Sequence, residues 1–236
     1  MTQSNRLDQM LSWSVHLFTA SGSVLVTFAL IAIATNQLAI AALIMLATLF
    51  IDGLDGTLAR AARVVEHTPE IDGRRLDDIV DFLNFVVVPA VFLWAAGSIL
   101  HAGWLVAPVL ASSYGFSRQD AKTADDFFLG FPSYWNILAL YLWLLGVSPL
   151  AGTIWVVVLS VGVFIPMKYL YPSKVQPMSL RVALGAGAIL WTGALILCIQ
   201  WPERTAPYFL LEASLLYPAW YMWLSVTRGG IQRRAA

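Results

Sequence analysis

The sequence predicts an all-α fold: a polytopic membrane helical bundle of about eight transmembrane helices with both termini cytoplasmic. Three observations carry this. The chain of 236 residues is 59% hydrophobic and 12% charged, with mean hydropathy +0.72, whereas a soluble domain carries about 25% charged residues. Apolar runs at 15–34, 82–100 and 182–198 approach the ~20 residues that cross a hydrocarbon core. Of the 14 lysines and arginines, only Arg204 falls outside when the spans are threaded alternately from a cytoplasmic N-terminus.

The elements follow in order, within one domain over 1–236. Residues 5–13 put Leu7, Met10 and Leu11 on one helical face, which suits either a juxtamembrane helix on the lipid surface or an extension of the first span. The first span covers 14–35 and is longer than a signal-peptide core, so a cleaved leader is not expected. The second covers 37–60 and the third 73–100; Thr68-Pro69 between them reads as a helix start signal. Gly103 separates the third from the fourth, 102–121. Gly130 and Pro132 introduce the fifth, 132–147, which is the shortest; Gly146 and Pro149 introduce the sixth, 149–170. Pro172 and Pro177 precede the seventh, 179–200, and Pro202 and Pro207 mark the approach to the eighth, 206–226. The cytoplasmic ends then hold Arg6; Arg60, Arg63, Arg74 and Arg75; Arg118 and Lys122; Lys168, Lys174 and Arg181; and Arg228, Arg233 and Arg234. Formal net charge is zero, and there is no nucleic-acid motif, so neither nucleic acid nor another bulk polyion is an expected partner. The single cysteine, Cys198, sits in an apolar run, which leaves no disulfide framework and no thiolate metal site.

Chemistry concentrates at one place. Residues 52–60 read Asp52-Gly-Leu-Asp55-Gly56-Thr-Leu-Ala59-Arg60, and after a twelve-residue gap Gly73, Asp77 and Asp81 follow at intervals of four. An acidic side chain deep in a bilayer costs roughly 2.5–3.5 kcal/mol on insertion scales, so acids there face the bundle interior and mark a site. Helical spacing aims Asp52 and Asp55 from one face, and Asp77 and Asp81 from one face of the next span. Oxygen ligands without nearby histidine or cysteine suit magnesium, manganese or calcium, and four acids are better explained by two cations than by one. Gly56 and Ala59 leave room beside the backbone, and Arg60 is placed to clamp a phosphate. Asp78 points about 100° away around the helix and is expected in an interfacial ion pair; Asp72 belongs to the loop or helix start. Two rivals share some of these features. Asp77-Asp78-Ile-Val-Asp81 mimics the motif of intramembrane prenyltransferases, though those carry two such motifs far apart. A divalent-cation transporter would distribute its acids through the membrane depth, whereas these gather at one end beside Arg60.

These residues resemble the signature of the CDP-alcohol phosphotransferases, Asp-x2-Asp-Gly-x2-Ala-Arg-x8-Gly-x3-Asp-x3-Asp, with every fixed residue present. The gap of twelve in place of eight, the number of spans, and the stretches 113–122 and 131–136 resemble the bacterial branch that joins choline to CDP-diacylglycerol, making phosphatidylcholine and CMP. The resemblance implies an inner-membrane enzyme with its active site facing the cytoplasm, working as a homodimer. It implies Asp52, Asp55, Asp77 and Asp81 as ligands of two divalent ions, Mg2+ or Mn2+, with Asp81 also the general base. Asp52, Gly56, Ala59, Arg60 and Gly73 would accommodate the nucleotide and its diphosphate. The four extra residues alter the 61–72 loop, where Glu66 and His67 are expected to be solvated. A choline acceptor calls for an aromatic cage; Tyr114, Tyr134 and Trp135 are expected to supply it, because the matching stretches contain them. Arg118 and Lys122 are expected to meet lipid phosphate. Serine, inositol or glycerol phosphate remain alternative acceptors for the same chemistry.

Overall fold

The structure is a computed structural model and describes residues 6–231, so Asn5, Arg233 and Arg234 lie outside the described residues. Helix α1 (Arg6–Ala34) is unbroken, so residues 6–13 are its first turns and not a separate surface helix. Its buried residues Ser12, His16, Thr19, Gly22, Val26, Ala29 and Ile33 recur every three or four positions and form one stripe. Leu17, Val24, Phe28 and Ile31 are exposed and suit contact with lipid. Helix α2 (Leu38–Ala61) turns back after a three-residue connection and packs on that stripe.

The connection from α2 is held down by α1. Arg63 adopts a left-handed conformation, α3 (Val64–His67) is a single turn, and the Ser12 hydroxyl donates to the Ala62 carbonyl at 3.1 Å. Thr68 is buried, with its Oγ1 2.9 Å from the Val64 carbonyl and 2.9 Å from His16 Nε2. It therefore closes α3 and does not start the next helix. That start belongs to Asp72, whose carboxylate accepts from the Arg75 amide at 3.1 Å as the N-cap of α4 (Gly73–Phe82). Glu66 is exposed beside Arg63, at 4.0 Å.

Helix α4, a π-helical turn at Leu83–Val87, and α5 (Val88–Ala95) make one continuous rod over Gly73–Ala95, ending five residues before the expected 100. Pro89 explains the wide turn: it offers no N–H to the carbonyl four residues back, and Val88 bonds instead to Leu83, five back. The rod meets α1 at Gly22, where an added Cβ would stand 2.6 Å from Val80 Cγ1. Asn84 bridges the same contact, its Nδ2 donating to Gly22 O at 3.3 Å and Val80 O at 3.0 Å. Gly22→Ala is expected to destabilise the bundle by about 1–3 kcal/mol, because neither helix can yield without strain. The thermal unfolding midpoint of the solubilised protein checks this; no change would mean that the two helices separate freely there.

The second half departs further from expectation. After α6 (Val106–Ser117) the chain forms β1 (Phe127–Leu129), then α7 (Trp135–Leu144), α8 (Pro149–Gly162) and β2 (Lys168–Leu170). The strands pair antiparallel, Phe127 with Leu170, Phe128 with Tyr169 and Leu129 with Lys168. Thus the expected helix 149–170 stops at Gly162, the expected helix 102–121 stops at Ser117, and a small sheet joins an otherwise helical fold. The physical reason is a backbone junction: Gly130 N bonds Met167 O at 2.9 Å and Phe131 N bonds Gly162 O at 3.1 Å. Gly130, at φ +84°, is required there, since a Cβ would collide with the Val163 carbonyl. Helix α9 (Met178–Gln200) matches the seventh span closely. After α10 (Pro202–Thr205), the expected eighth, 206–226, is divided into a 3-10 turn at Ala206–Tyr208, α11 (Leu210–Ser214) and α12 (Leu216–Arg228), with Phe209 left-handed at the break.

Among the described residues four helices are long and apolar enough to cross a membrane: Arg6–Ala34, Leu38–Ala61, Gly73–Ala95 and Met178–Gln200. The protein is an all-α integral membrane protein with that one small sheet. One apolar core joins α1, α2, α5, α7, α8 and α9 around Met45, Phe92 and Leu140. A second, around Phe131, Trp135, Tyr169 and Tyr221, underlies the sheet. Of the basic residues named from the sequence, Arg228 donates to the Gln176 carbonyl at 2.9 Å and Arg60 shares a cavity with Lys174 and Arg181.

Candidate active site

Helices α2 and α4 each carry two of the four carboxylates on one face, and α1 closes the third side. Ligand oxygens of Asp52, Asp55 and Asp77 all lie within 4.8 Å of one another. Asp55 is buried at 6% exposure, Asp77 is half-buried and Asp52 opens outward. Asp81, one turn further along α4, lies within side-chain reach of Asp52, and Asp55 within side-chain reach of Asp77 and of Thr19 on α1. All four acids expected from the sequence are therefore neighbours; Thr19 was not foreseen.

This donor set fits a hard divalent cation. Oxygens bound at about 2.1–2.6 Å from one ion stand no more than about 4–5 Å apart, and these do so. Charge balance points the same way. Lys122 lies within electrostatic reach of all four acids, yet brings only one positive charge. A buried carboxylate such as Asp55, crowded by other acids, costs several kcal/mol unless paired, and a cation between them supplies the pairing.

The nucleotide side of the motif is open. A Cβ on Gly56 would meet only Arg60 Nη1, at 3.4 Å, so this face of α2 is free for a bulky group. Ala59 is half-buried on the adjoining turn. Arg60 donates to Thr57 Oγ1 at 3.1 Å and lines a cavity of about 300 Å³ with Asp126, Ser173, Lys174, Gln176 and Arg181. Lys174 pairs with Asp126 at 3.0 Å, and Arg181 donates to the Val175 and Lys174 carbonyls, both at 3.3 Å. These partners of Arg60 were not expected, since nothing in their spacing relates residues 174 and 181 to residue 60. Gly73 serves a packing role besides any ligand role: a Cβ there would stand 3.1 Å from His16 Cε1, so the start of α4 lies against the ring that anchors Thr68.

The expected acceptor residues are dispersed. Trp135 is 1% exposed, its indole N–H donates to Ser112 Oγ at 2.7 Å, and it has no open ring face. Tyr114 is exposed and stacks on Phe164 with ring centroids 5.0 Å apart. Tyr134 lies nearer the acids, within electrostatic reach of Asp52, with its hydroxyl 3.1 Å from that of Tyr221. Arg118 is clamped in a bidentate pair with Asp120, both contacts 2.7 Å. Lys122 reaches back over the rings of Phe128 and Tyr171. Among the described residues Asp78 forms no ion pair, contrary to expectation. Lys168, 2.7 Å from Asp125, fastens the 118–126 loop to β2 and holds that carboxyl below its usual range.

Known proteins resemble this chain along most of its length. The family model for CDP-alcohol phosphatidyltransferase matches residues 15–227. A phosphatidylcholine synthase of Legionella pneumophila is 37% identical over 226 residues, covering 92% of this chain and 88% of the relative. Proteins of the same name from Borreliella burgdorferi and Pseudomonas aeruginosa are 36% and 34% identical, covering 73% and 80% of this chain and 75% and 82% of the relatives. The match sets aside the prenyltransferase and transporter readings. With the acidic cluster, Gly56, Ala59 and Arg60 assembled on α2 and α4, the chain is an enzyme that belongs to the CDP-alcohol phosphatidyltransferase family.

Proposed function

We propose that this enzyme transfers the phosphatidyl group of CDP-diacylglycerol to choline, giving phosphatidylcholine and CMP. The observation that carries the chemistry is the meeting of Asp52, Asp55 and Asp77 within 4.8 Å. The choice of choline is supported by the shared name of the relatives, each similar over most of its length. Asp52, Asp55, Asp77 and Asp81 hold two divalent ions, Mg2+ or Mn2+, which when bound offset the diphosphate charge as it shifts toward the leaving CMP. Arg60 grips the diphosphate, while Gly56 and Ala59 admit the nucleotide against the α2 backbone. Asp81 takes the choline hydroxyl proton as the choline oxygen bonds to the lipid-side phosphorus and the bond to the CMP oxygen breaks. A carboxylate is a weak base toward an alcohol, so proton transfer accompanies attack and does not precede it.

Eight spans with both termini cytoplasmic remain our reading of the topology, supported by the lysines and arginines, of which only Arg204 falls outside on that threading. The site then opens to the cytoplasmic face of the bacterial inner membrane, where CDP-diacylglycerol and choline meet, and the enzyme acts as a homodimer. Purified enzyme given CDP-diacylglycerol, radiolabelled choline and Mg2+ or Mn2+ is expected to make labelled lipid and CMP in equal amounts, and to stop when the metal is chelated. Product from serine, inositol or glycerol phosphate, with none from choline, would overturn the acceptor assignment.

A further inference from the structure

Strand β1 and the residue that follows β2 carry a pair of aromatic rings, Phe128 and Tyr171, that no motif residue explains. Phe128 and Tyr171 stack with centroids 4.5 Å apart and planes 34° from parallel. Strand pairing sets Phe128 opposite Tyr169, two residues before Tyr171, which follows the end of β2. Both rings are half-buried, so each keeps an open side. Cations already occupy them. Lys122 Nζ is 6.0 Å from the Phe128 centroid and 5.7 Å from that of Tyr171, and Lys174 Nζ is 5.2 Å from Tyr171. Lys122 is also the ammonium within electrostatic reach of Asp52, Asp55, Asp77 and Asp81, so one cation links the ring pair to the acidic cluster.

We propose that the Phe128–Tyr171 ring pair is the choline-binding surface, with the quaternary ammonium taking the position that Lys122 holds on it. The proposal rests on choline being the acceptor. A trimethylammonium has no N–H to donate and is weakly hydrated, so ring faces are its best partners in water. A lysine ammonium is strongly hydrated on a flexible stem, and Lys122 is exposed, so it returns to solvent at little cost. The charge of choline then replaces the one Lys122 withdraws from the acids, and the hydroxyl, two carbons from the nitrogen, extends toward them. Lys174 remains paired with Asp126 in the cavity that Arg60 shares.

Steady-state kinetics with choline and CDP-diacylglycerol varied separately test this. Tyr171→Leu and Phe128→Met are each expected to raise KM for choline about 10-fold while KM for CDP-diacylglycerol stays within about 2-fold, the size of one cation–π contact. Tyr171→Phe keeps the ring and is expected to behave like the wild type. Tetramethylammonium is expected to compete with choline, and about 10-fold more weakly in the two variants. Should Tyr171→Leu fail to fold, Phe128→Met, close in volume, carries the test. Unchanged KM for choline, or a rise confined to CDP-diacylglycerol as for a ring that stacks on cytosine, overturns the ring assignment while the wild type still makes phosphatidylcholine. A wild type that makes none removes the choline reading itself, and the ring assignment with it.

Discussion

Asp81→Asn is expected to lower kcat by about 10²–10⁴-fold, the usual contribution of a positioned general base, with little change in CDP-diacylglycerol binding. Asparagine keeps the size of the side chain and one carbonyl oxygen, but cannot accept a proton at neutral pH. Three acids whose oxygens lie within 4.8 Å of each other, Asp52, Asp55 and Asp77, are left intact. Asp81 stands one turn further along α4, outside that close group of three. Single-turnover formation of labelled phosphatidylcholine, with CDP-diacylglycerol binding measured alongside, separates the two effects. If the variant lost nucleotide binding while the chemical step kept its rate, Asp81 would be a binding residue and not the base.

Asp55→Asn is expected to act differently, weakening divalent-metal affinity by about 100-fold or more, since even removing a partner one shell out costs about 10–100-fold. Asp55 is the buried member of the cluster and lies within side-chain reach of both Asp77 and Thr19, so no water can easily replace its oxygen. The loss is read directly as a shift in Mn2+ binding by paramagnetic resonance, and as a matching rise in the Mn2+ concentration needed for half-maximal activity. Wild-type Mn2+ affinity in this variant would remove Asp55 from the metal site, and wild-type turnover in the presence of a chelator would remove the metal from the mechanism.

The acidic site was legible because both of its halves are local. Three- and four-residue intervals in a helix define a face, and a run of about 20 apolar residues defines a span, so Asp52 with Asp55, and Asp77 with Asp81, could be aimed from spacing alone. The connection between them was less legible. Thr68-Pro69 has the composition of a helix start, but His16, far away in sequence, engages the threonine hydroxyl, and the cap falls to Asp72. Strands β1 and β2 were missed for a related reason: their pairing joins residues about forty apart, and the 149–170 run is apolar enough to hide the end of a helix at Gly162. Trp135 was expected in the acceptor site because the 131–136 stretch that resembles the family contains it, but its ring is consumed by the core beneath the sheet.

What the amino-acid order determined alone was the chemical class: membrane helices, one carboxylate pair on each of two successive spans, and the Gly56, Ala59 and Arg60 face beside them. Only the tertiary structure decided what surrounds that chemistry. It brought Lys174 and Arg181 to Arg60, and Phe128 and Tyr171 to Lys122. The physical reason is the range of the contacts. A helical face follows from a repeat of a few residues, whereas a cavity or a ring pair depends on segments from separate parts of the chain, whose approach is set by packing and backbone pairing that no local pattern encodes.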